Sequence, residues 1–312
     1  MRDPQYRNEH VPARQFQTFA LGEDDSLMAP DEMKHRIKLA VSERVSSPDL
    51  KIPMLPHVAS RVMQLANDPM VSLNVISELL KQDQQLAGKL IQVANSPVYA
   101  GLSKITSIQR AVLQVGLRTL RDLLVSVAFG GTIFRNVQYR DRMNETWRHS
   151  LAVAHISQEV ARAVGIDNEY AFLCGLMHDV GKPLLVDILV DLSRAMKDKV
   201  FLSDELVTEV LDEFHEAVGG LIARKWAFPS LLHDAVAFHH HTAEAASSTQ
   251  MACLVHVADL FYYHLGLSPN PQAVDLPNRK AVYELGLNPG QIQDLESKLA
   301  ASVPLFLSGF RP

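Results

Sequence analysis

The run His178-Asp179-Val180-Gly181-Lys182 closes an apolar stretch that begins at Ala171, and it gathers an imidazole, a carboxylate and an ammonium group at one point of the chain. Adjacent residues of a helix differ by about 100° in direction, so the His178 ring and the Asp179 carboxylate can reach one cation from neighbouring sides. A carboxylate can also bridge two cations. Lys182 adds a compact point charge suited to a phosphate. Gly181 is expected to release the chain into a turn.

Other residues repeat this chemistry. Glu145 and His149 are four positions apart and share a helix face. His215 precedes Gly219-Gly220, glycines that let a second helix come close beside an imidazole. His239-His240 is expected to end a helix after the apolar run Ala235-Val236-Ala237-Phe238. Asp259 interrupts an otherwise apolar helix, where an unpaired carboxylate would be costly to bury. Ten of the 13 histidines fall between His149 and His264, little more than a third of the chain. Of these, His155, His233, His241, His256 and His264 are assigned no role. The remaining five imidazoles and three carboxylates offer mixed nitrogen and oxygen donors, which suit Fe, Mn, Ni or Zn better than Ca or Mg. Two such ions roughly 3.5–4 Å apart would clamp a phosphate and activate water for in-line attack.

The elements that must carry these groups all read as helices. A first helix is expected from Pro30-Asp31 to the Ser46-Ser47-Pro48 break. Val58, Val62, Met63 and Leu65-Ala66 mark a second, ended by Asn67-Asp68-Pro69. Ser72 can cap a helix over 73–80, and Leu86, Leu90, Ile91 and Val93-Ala94 mark another. Ser107 can cap 108–115, with Gly116 as its stop, and 117–129 reads as a buried helix. Further helices are expected at about 144–164, 168–178, 183–196, from Ser203-Asp204-Glu205 to about 227, from Pro229 to His240, and at 248–265 and 289–301. No segment alternates with period two. The fold class is therefore all-α, with a flexible leader over 1–29, an N-terminal helical subdomain over 30–140, a metal-binding subdomain over 141–266 and a C-terminal helical extension over 267–312.

Composition narrows the function. The chain has 312 residues, 47% hydrophobic and 21% charged, an ordinary soluble balance. A formal charge of −5 argues against nucleic acid as the main partner, although Arg118, Arg121, Arg135 and Arg140 form a basic face leading into the histidine-rich half. The polar start MRDPQYRNEH is unlike a signal peptide, and no apolar run approaches the roughly 20 residues of a membrane helix. Cys174 and Cys253 read as buried thiols in a reducing compartment, and Trp147 and Trp226 as packing residues. The expected location is the cytoplasm.

The metal-site pattern resembles the HD phosphohydrolase superfamily, whose ligand positions match His149, His178, Asp179 and Asp259. In the related HD-GYP phosphodiesterases, further ligands match Glu145, His215 and His239-His240, and a lysine matches Lys182. Over roughly residues 50–262 the chain is more similar still to the bacterial HDOD family. That likeness rests on Leu55-Pro56-His57-Val58-Ala59, Asn67-Asp68-Pro69, Gln82-Asp83, Ala94-Asn95-Ser96, Gly116-Leu117 and Trp147-Arg148-His149-Ser150-Leu151. It implies an N-terminal helical bundle packed on an HD-like subdomain, and a signalling regulator with signalling proteins as partners. Hydrolysis is not a general property of HDOD proteins, but the retained HD-type ligand set with Lys182 implies a metal-dependent phosphohydrolase acting on nucleotide or cyclic nucleotide phosphoesters, with Asp179 and Lys182 as catalytic residues. The alternative is a catalytically silent, metal-stabilised interaction or ligand-sensing module. The chain departs from these relatives in two ways. After His241 it reads Thr242-Ala243-Glu244-Ala245-Ala246 in place of a GYP segment, so cyclic di-GMP hydrolysis is not implied. Gln84 stands where the HDOD family usually has proline.

Overall fold

The computed structural model describes residues 30–55, 57–66, 80, 83–101, 104–166, 170–196, 202–269 and 274–310. The expected leader, the Asn67-Asp68-Pro69 break and the helix over 73–80, apart from Leu80, lie outside them. Among the described residues there are helices and short 3-10 turns and no strand. None of these helices is long and apolar enough to cross a membrane.

Among the described residues, five helices precede the histidine-rich half: α1 (Pro30–Ser46), α2 (His57–Ala66), α3 (Gln84–Ala94), α4 (Ile108–Val115) and α5 (Leu117–Gly130). Eight follow: α6 (Arg140–Val164), α7 (Ala171–Met177), α8 (Gly181–Ala195), α9 (Asp204–Lys225), α10 (Ser230–Ala237), α11 (Thr249–His264), α12 (Lys280–Glu284) and α13 (Pro289–Ser308). Several of their starts carry side-chain caps, each worth about 1 kcal/mol. Ser107 accepts from Arg110 N, Ser203 from Leu206 N and Ser248 from Met251 N. Gly116, at φ +82°, ends α4 and opens α5 in a conformation that glycine adopts without strain. Asn95 stitches the end of α3 to the following loop, donating to Ile91 O and Ile105 O and accepting from Ile105 N.

Several boundaries differ from expectation. α6 begins at Arg140 rather than near Asn144, and α12 is additional. α13 continues past residue 301 through Pro304 to Ser308, because Val303, Phe306 and Leu307 are buried. Burying such side chains contributes about 1.5–3 kcal/mol each, enough to offset the roughly 3 kcal/mol cost of an interior proline. Arg121 is not part of a solvated face: it is buried and paired with Asp122 at 2.9 Å. Trp147 packs on Phe134, and Trp226 on Phe129 with its indole N–H donating to Pro53 O. Cys174 and Cys253 are buried free thiols.

α6 is the central rod. It packs against α7, α11 and α13, while α8, α9, α10 and α11 contact one another in sequence. α5 gathers α2, α3 and α4, and α1 lies on α8 and α9, where Lys34 and Lys38 pair with Glu209 and Glu213. Two glycine contacts draw the functional elements together. A Cβ on Gly175 would stand 2.8 Å from Ala154 Cα, so α7 rides directly on α6. A Cβ on Gly219 would stand 2.7 Å from Val236 Cγ1, which brings α9 onto α10.

Candidate metal centre

Five elements deliver side chains to one region, buried except at His240. His149 comes from the middle of α6, His178 and Asp179 from the turn between α7 and α8, His215 from α9, His239 and His240 from the segment after α10, and Asp259 from α11. Phe238 leaves helical geometry at φ −141°, so α10 ends at Ala237 and the histidine pair lies beyond the helix rather than on it. Gly181 does not open a turn either. It starts α8, and glycine is needed there because of the neighbouring α9 backbone.

The donors form two groups. His149, His178 and Asp179 place their ligand atoms within 4.8 Å of one another, and so do His215, His239 and His240. Within the first group, His149 Nε2 lies 3.1 Å from His178 Nε2, 3.2 Å from Asp259 Oδ1 and 3.4 Å from Asp179 Oδ2. His178 Nε2 is 3.3 Å from Asp179 Oδ2. Within the second, His215 Nε2 and His239 Nε2 are 3.1 Å apart. Asp179 stands between the groups, its Oδ1 facing His215 Nε2 at 3.7 Å.

Tautomers decide what these approaches mean. His178 Nδ1 donates to Gly175 O at 2.7 Å, His215 Nδ1 to Leu211 O at 2.8 Å and His239 Nδ1 to Val236 O at 3.2 Å. A neutral imidazole has one N–H, so in each ring the Nε2 lone pair is left bare. Burial lowers the pKa of His215 to about 3 and that of His239 well below the usual value. Both rings are therefore neutral, and their lone pairs point at one another inside the protein. Asp179 Oδ1, also buried, has no hydrogen-bond partner. Bare lone pairs and an orphaned carboxylate oxygen converging at 3–4 Å are repulsive unless a cation sits among them. With metal–nitrogen bonds of about 2.0–2.1 Å, two neighbouring ligand nitrogens stand roughly 3.0–3.4 Å apart. The donor set fits a divalent transition metal in both groups.

The first group is electrostatically different. Burial opposes charging His178, but Asp179 beside it outweighs that and raises its pKa. For Asp179, burial is outweighed by His178 and Lys182, which hold the carboxyl well below its ordinary value. Burial dominates at His149 and lowers its pKa, against Asp259 and Asp179. At Asp259 burial is again outweighed, chiefly by His149, and the carboxyl falls to about 2. Both aspartates are thus anionic and ready to coordinate.

The remaining predicted residues take distinct positions. Lys182 donates to Asp179 Oδ2 at 2.7 Å, with 18% of its side chain exposed. His240 is exposed at the edge of the second group. Glu145, one turn before His149 on α6, is exposed and lies outside both groups. Glu216 was not singled out in the sequence, yet it shapes the site. Its carboxylate accepts from His240 N at 2.7 Å and pairs with His241 Nδ1 at 2.5 Å, fixing the segment that presents His239 and His240. Its only sequence signal is adjacency to His215. Tyr262 packs edge-on against the His149 ring at 4.5 Å, a role its place in an apolar helix does not advertise. His155 stacks on Phe306 far along α6, and His264 pairs with Glu296.

The chain is similar to several known proteins. The profile of the HDOD domain matches residues 52–242. An uncharacterized protein of Treponema pallidum (strain Nichols) is 25% identical over 67% of this chain and 41% of its own length. Ribonuclease Y of Mycoplasma mycoides is 22% identical over 80% of this chain and 50% of its own. The chain therefore spans half or less of the length of these curated relatives. A crystal structure from Shewanella amazonensis SB2B, provisionally described as a metal-dependent phosphohydrolase, superposes with a TM-score of 0.69 at 20% identity. That match covers 89% of this chain and 99% of the other, and it shows a shared fold.

Proposed function

The chain belongs to the HDOD family, and from that premise we propose that it is a signalling regulator with a working metal centre, a metal-dependent phosphohydrolase acting on nucleotide or cyclic nucleotide phosphoesters. The reading is carried by one observation, the facing Nε2 atoms of His215 and His239 beside the orphaned Oδ1 of Asp179. His149, His178, Asp179 and Asp259 would hold one ion, and Asp179, His215, His239 and His240 would hold a second, each ion being Fe, Mn, Ni or Zn.

Bound divalent cations supply charge for a phosphoryl group and make nearby water more acidic. The chain's own residues do the rest. Asp179 joins the two halves and, through the Lys182 ion pair, keeps the ammonium at the centre. Lys182 is the partly exposed cation there, placed to hold a phosphoryl oxygen. The backbone carbonyls of Gly175, Leu211 and Val236 fix the tautomers of His178, His215 and His239, so that the Nε2 atoms of these three rings would be free to bind metal. Glu145 lies at the rim, one turn from His149.

Elemental analysis of the purified full chain, together with hydrolysis assays on nucleotides, cyclic nucleotides and short RNA, tests the proposal. RNA is included because a relative is named for ribonuclease activity. The expected result is about two transition-metal ions per chain and turnover of at least one nucleotide ester. Asp179→Asn should lose both metal and activity. Lys182→Met should keep the metal while turnover falls by roughly 10²–10³. Metal-free wild-type protein, or full activity in Asp179→Asn, rejects the proposal.

A second reading is favoured by burial. His178, Asp179 and His239 are at most 1% exposed, as suits metal that serves structure in a silent interaction module. It predicts no turnover on any ester of the panel, together with loss of folding on chelation.

A further inference from the structure

A separate concavity of about 370 Å³ lies against the same His-Asp turn and is lined by none of the candidate ligands. Val180 and Pro183, which flank Gly181-Lys182, form its floor with Leu184 and Ile133, all of them buried. Other residues of the 132–138 segment linking α5 to α6 line it as well, and the shape of this wall is held by specific contacts. Phe134 packs on Trp147 at 5.1 Å. Asn136 Oδ1 accepts from Tyr139 N at 3.1 Å, while Asn136 Nδ2 donates to Asp187 Oδ1 at 2.8 Å, closing the wall onto α8.

The charges at this concavity are unspent. Arg135 lines it and makes no ion pair with any described residue. Arg194 also lines it, and its partner Asp191 is 3.7 Å away with both side chains about 70% exposed, a screened contact of little worth. Val137 stands at the same edge 76% exposed, an apolar side chain left in water beside the guanidinium groups.

We propose that this concavity binds a phosphorylated small molecule of mononucleotide size, as an effector separate from whatever the metal centre turns over. Arginine forks suit the oxygens of a phosphate. The apolar floor suits the face of a ring, and Asp187 and Gln138 offer partners for ring edges or sugar hydroxyls. The volume lies near the low end of the roughly 300–1,000 Å³ typical of small-ligand sites, too small for a polymer. An occupant would touch Val180 and Pro183, each next in sequence to a residue of the Asp179–Lys182 ion pair, so binding would be felt at the metal centre and the reverse.

Titration calorimetry on the full chain with GMP, AMP and inorganic phosphate tests this, using wild type, the double variant Arg135→Gln/Arg194→Gln, and Lys182→Met. Both arginines are exposed, and thermal melting of the double variant should match wild type. At least one mononucleotide should bind wild type and Lys182→Met alike, about tenfold or more tighter than phosphate, and bind the double variant at least tenfold more weakly. Unchanged affinity in the double variant overturns the proposal. So does affinity lost only in Lys182→Met, which would assign the ligand to the metal centre. Binding no tighter than that of inorganic phosphate, or no binding at millimolar concentration, overturns it as well.

Discussion

A Cβ on Gly181 would lie 2.2 Å from the carbonyl oxygen of His215 and 2.8 Å from Gly219 N. α8 therefore starts in backbone contact with α9, at the level of the imidazole that Asp179 faces. Gly181→Ala cannot be absorbed by a flexible side chain, because the obstacle is main chain. The helices must part, at a cost of about 1–3 kcal/mol or more, and His215 moves away from Asp179. Thermal melting should fall by several degrees and metal content should drop. Gly88→Ala is the matched control. That glycine lies in the interior of α3, exposed, with nothing within 4 Å of its added Cβ. The change should stabilise by about 0.5–1 kcal/mol.

Removing metal should weaken the fold itself. Without a cation, the Nε2 lone pairs of His215 and His239 oppose one another at 3.1 Å, leaving Glu216 to tie α9 to the segment after α10 against that repulsion. An ion present at a thousandfold its Kd stabilises by about 4 kcal/mol. Chelation should lower the melting temperature by many degrees. Zn or Mn should restore it, whereas Ca and Mg should not, since nitrogen-rich donor sets suit transition metals. A melting curve indifferent to chelator would contradict this account of the site.

The helical fold is legible because its punctuation is local: Ser107, Gly116 and Ser203 act within a turn of where they stand. The far end of α13 is not legible, because Pro304 is a local stop signal overruled by the distant burial of Phe306. In the site, His178-Asp179 stands out through its string, His149 through its spacing from Glu145, and Asp259 as a carboxylate in an apolar helix. Spacing places Glu145 on α6 with His149, but spacing cannot tell that its side chain remains exposed. Glu216 is illegible for a related reason: the groups it holds lie 24 and 25 residues away, and nothing in a local pattern records them.

The metal-free protein should lose stability in mild acid. The pKa of His215 in the folded chain falls to about 3 because burial disfavours its charged form, while in the unfolded chain it is near 6.5. Between those values the unfolded state holds a proton that the folded state refuses, so stability drops as pH falls, by about 1.4 kcal/mol per unit for each such group. His239, lowered in the same direction by burial, adds to the slope. Asp259, at about 2 when folded, contributes stability that is lost only below about pH 4. Urea denaturation of chelated protein should therefore show its midpoint declining from about pH 6.5 downward. A midpoint flat to pH 4.5 would mean that these imidazoles are not held neutral.

The HDOD resemblance leads one to expect proline where this chain has Gln84, and the geometry predicts the sign of that substitution. Asp83 caps α3, its Oδ1 accepting from Leu86 N at 2.9 Å, with an extended backbone at φ −135° and ψ 91°. That φ lies in the extended range proline favours in the residue before it, and ψ is about 30° short of that range. Gln84 is then the first helical residue, where the amide has no partner within the helix and a φ near −65° is already required. Gln84→Pro removes no intrahelical bond and restricts only the unfolded chain, so it should stabilise by about 0.4–1 kcal/mol. The check is a rise of a few degrees at most in melting temperature, with metal content unchanged. A fall would show that the amide of residue 84 is engaged, and that glutamine was retained for a contact that proline cannot make.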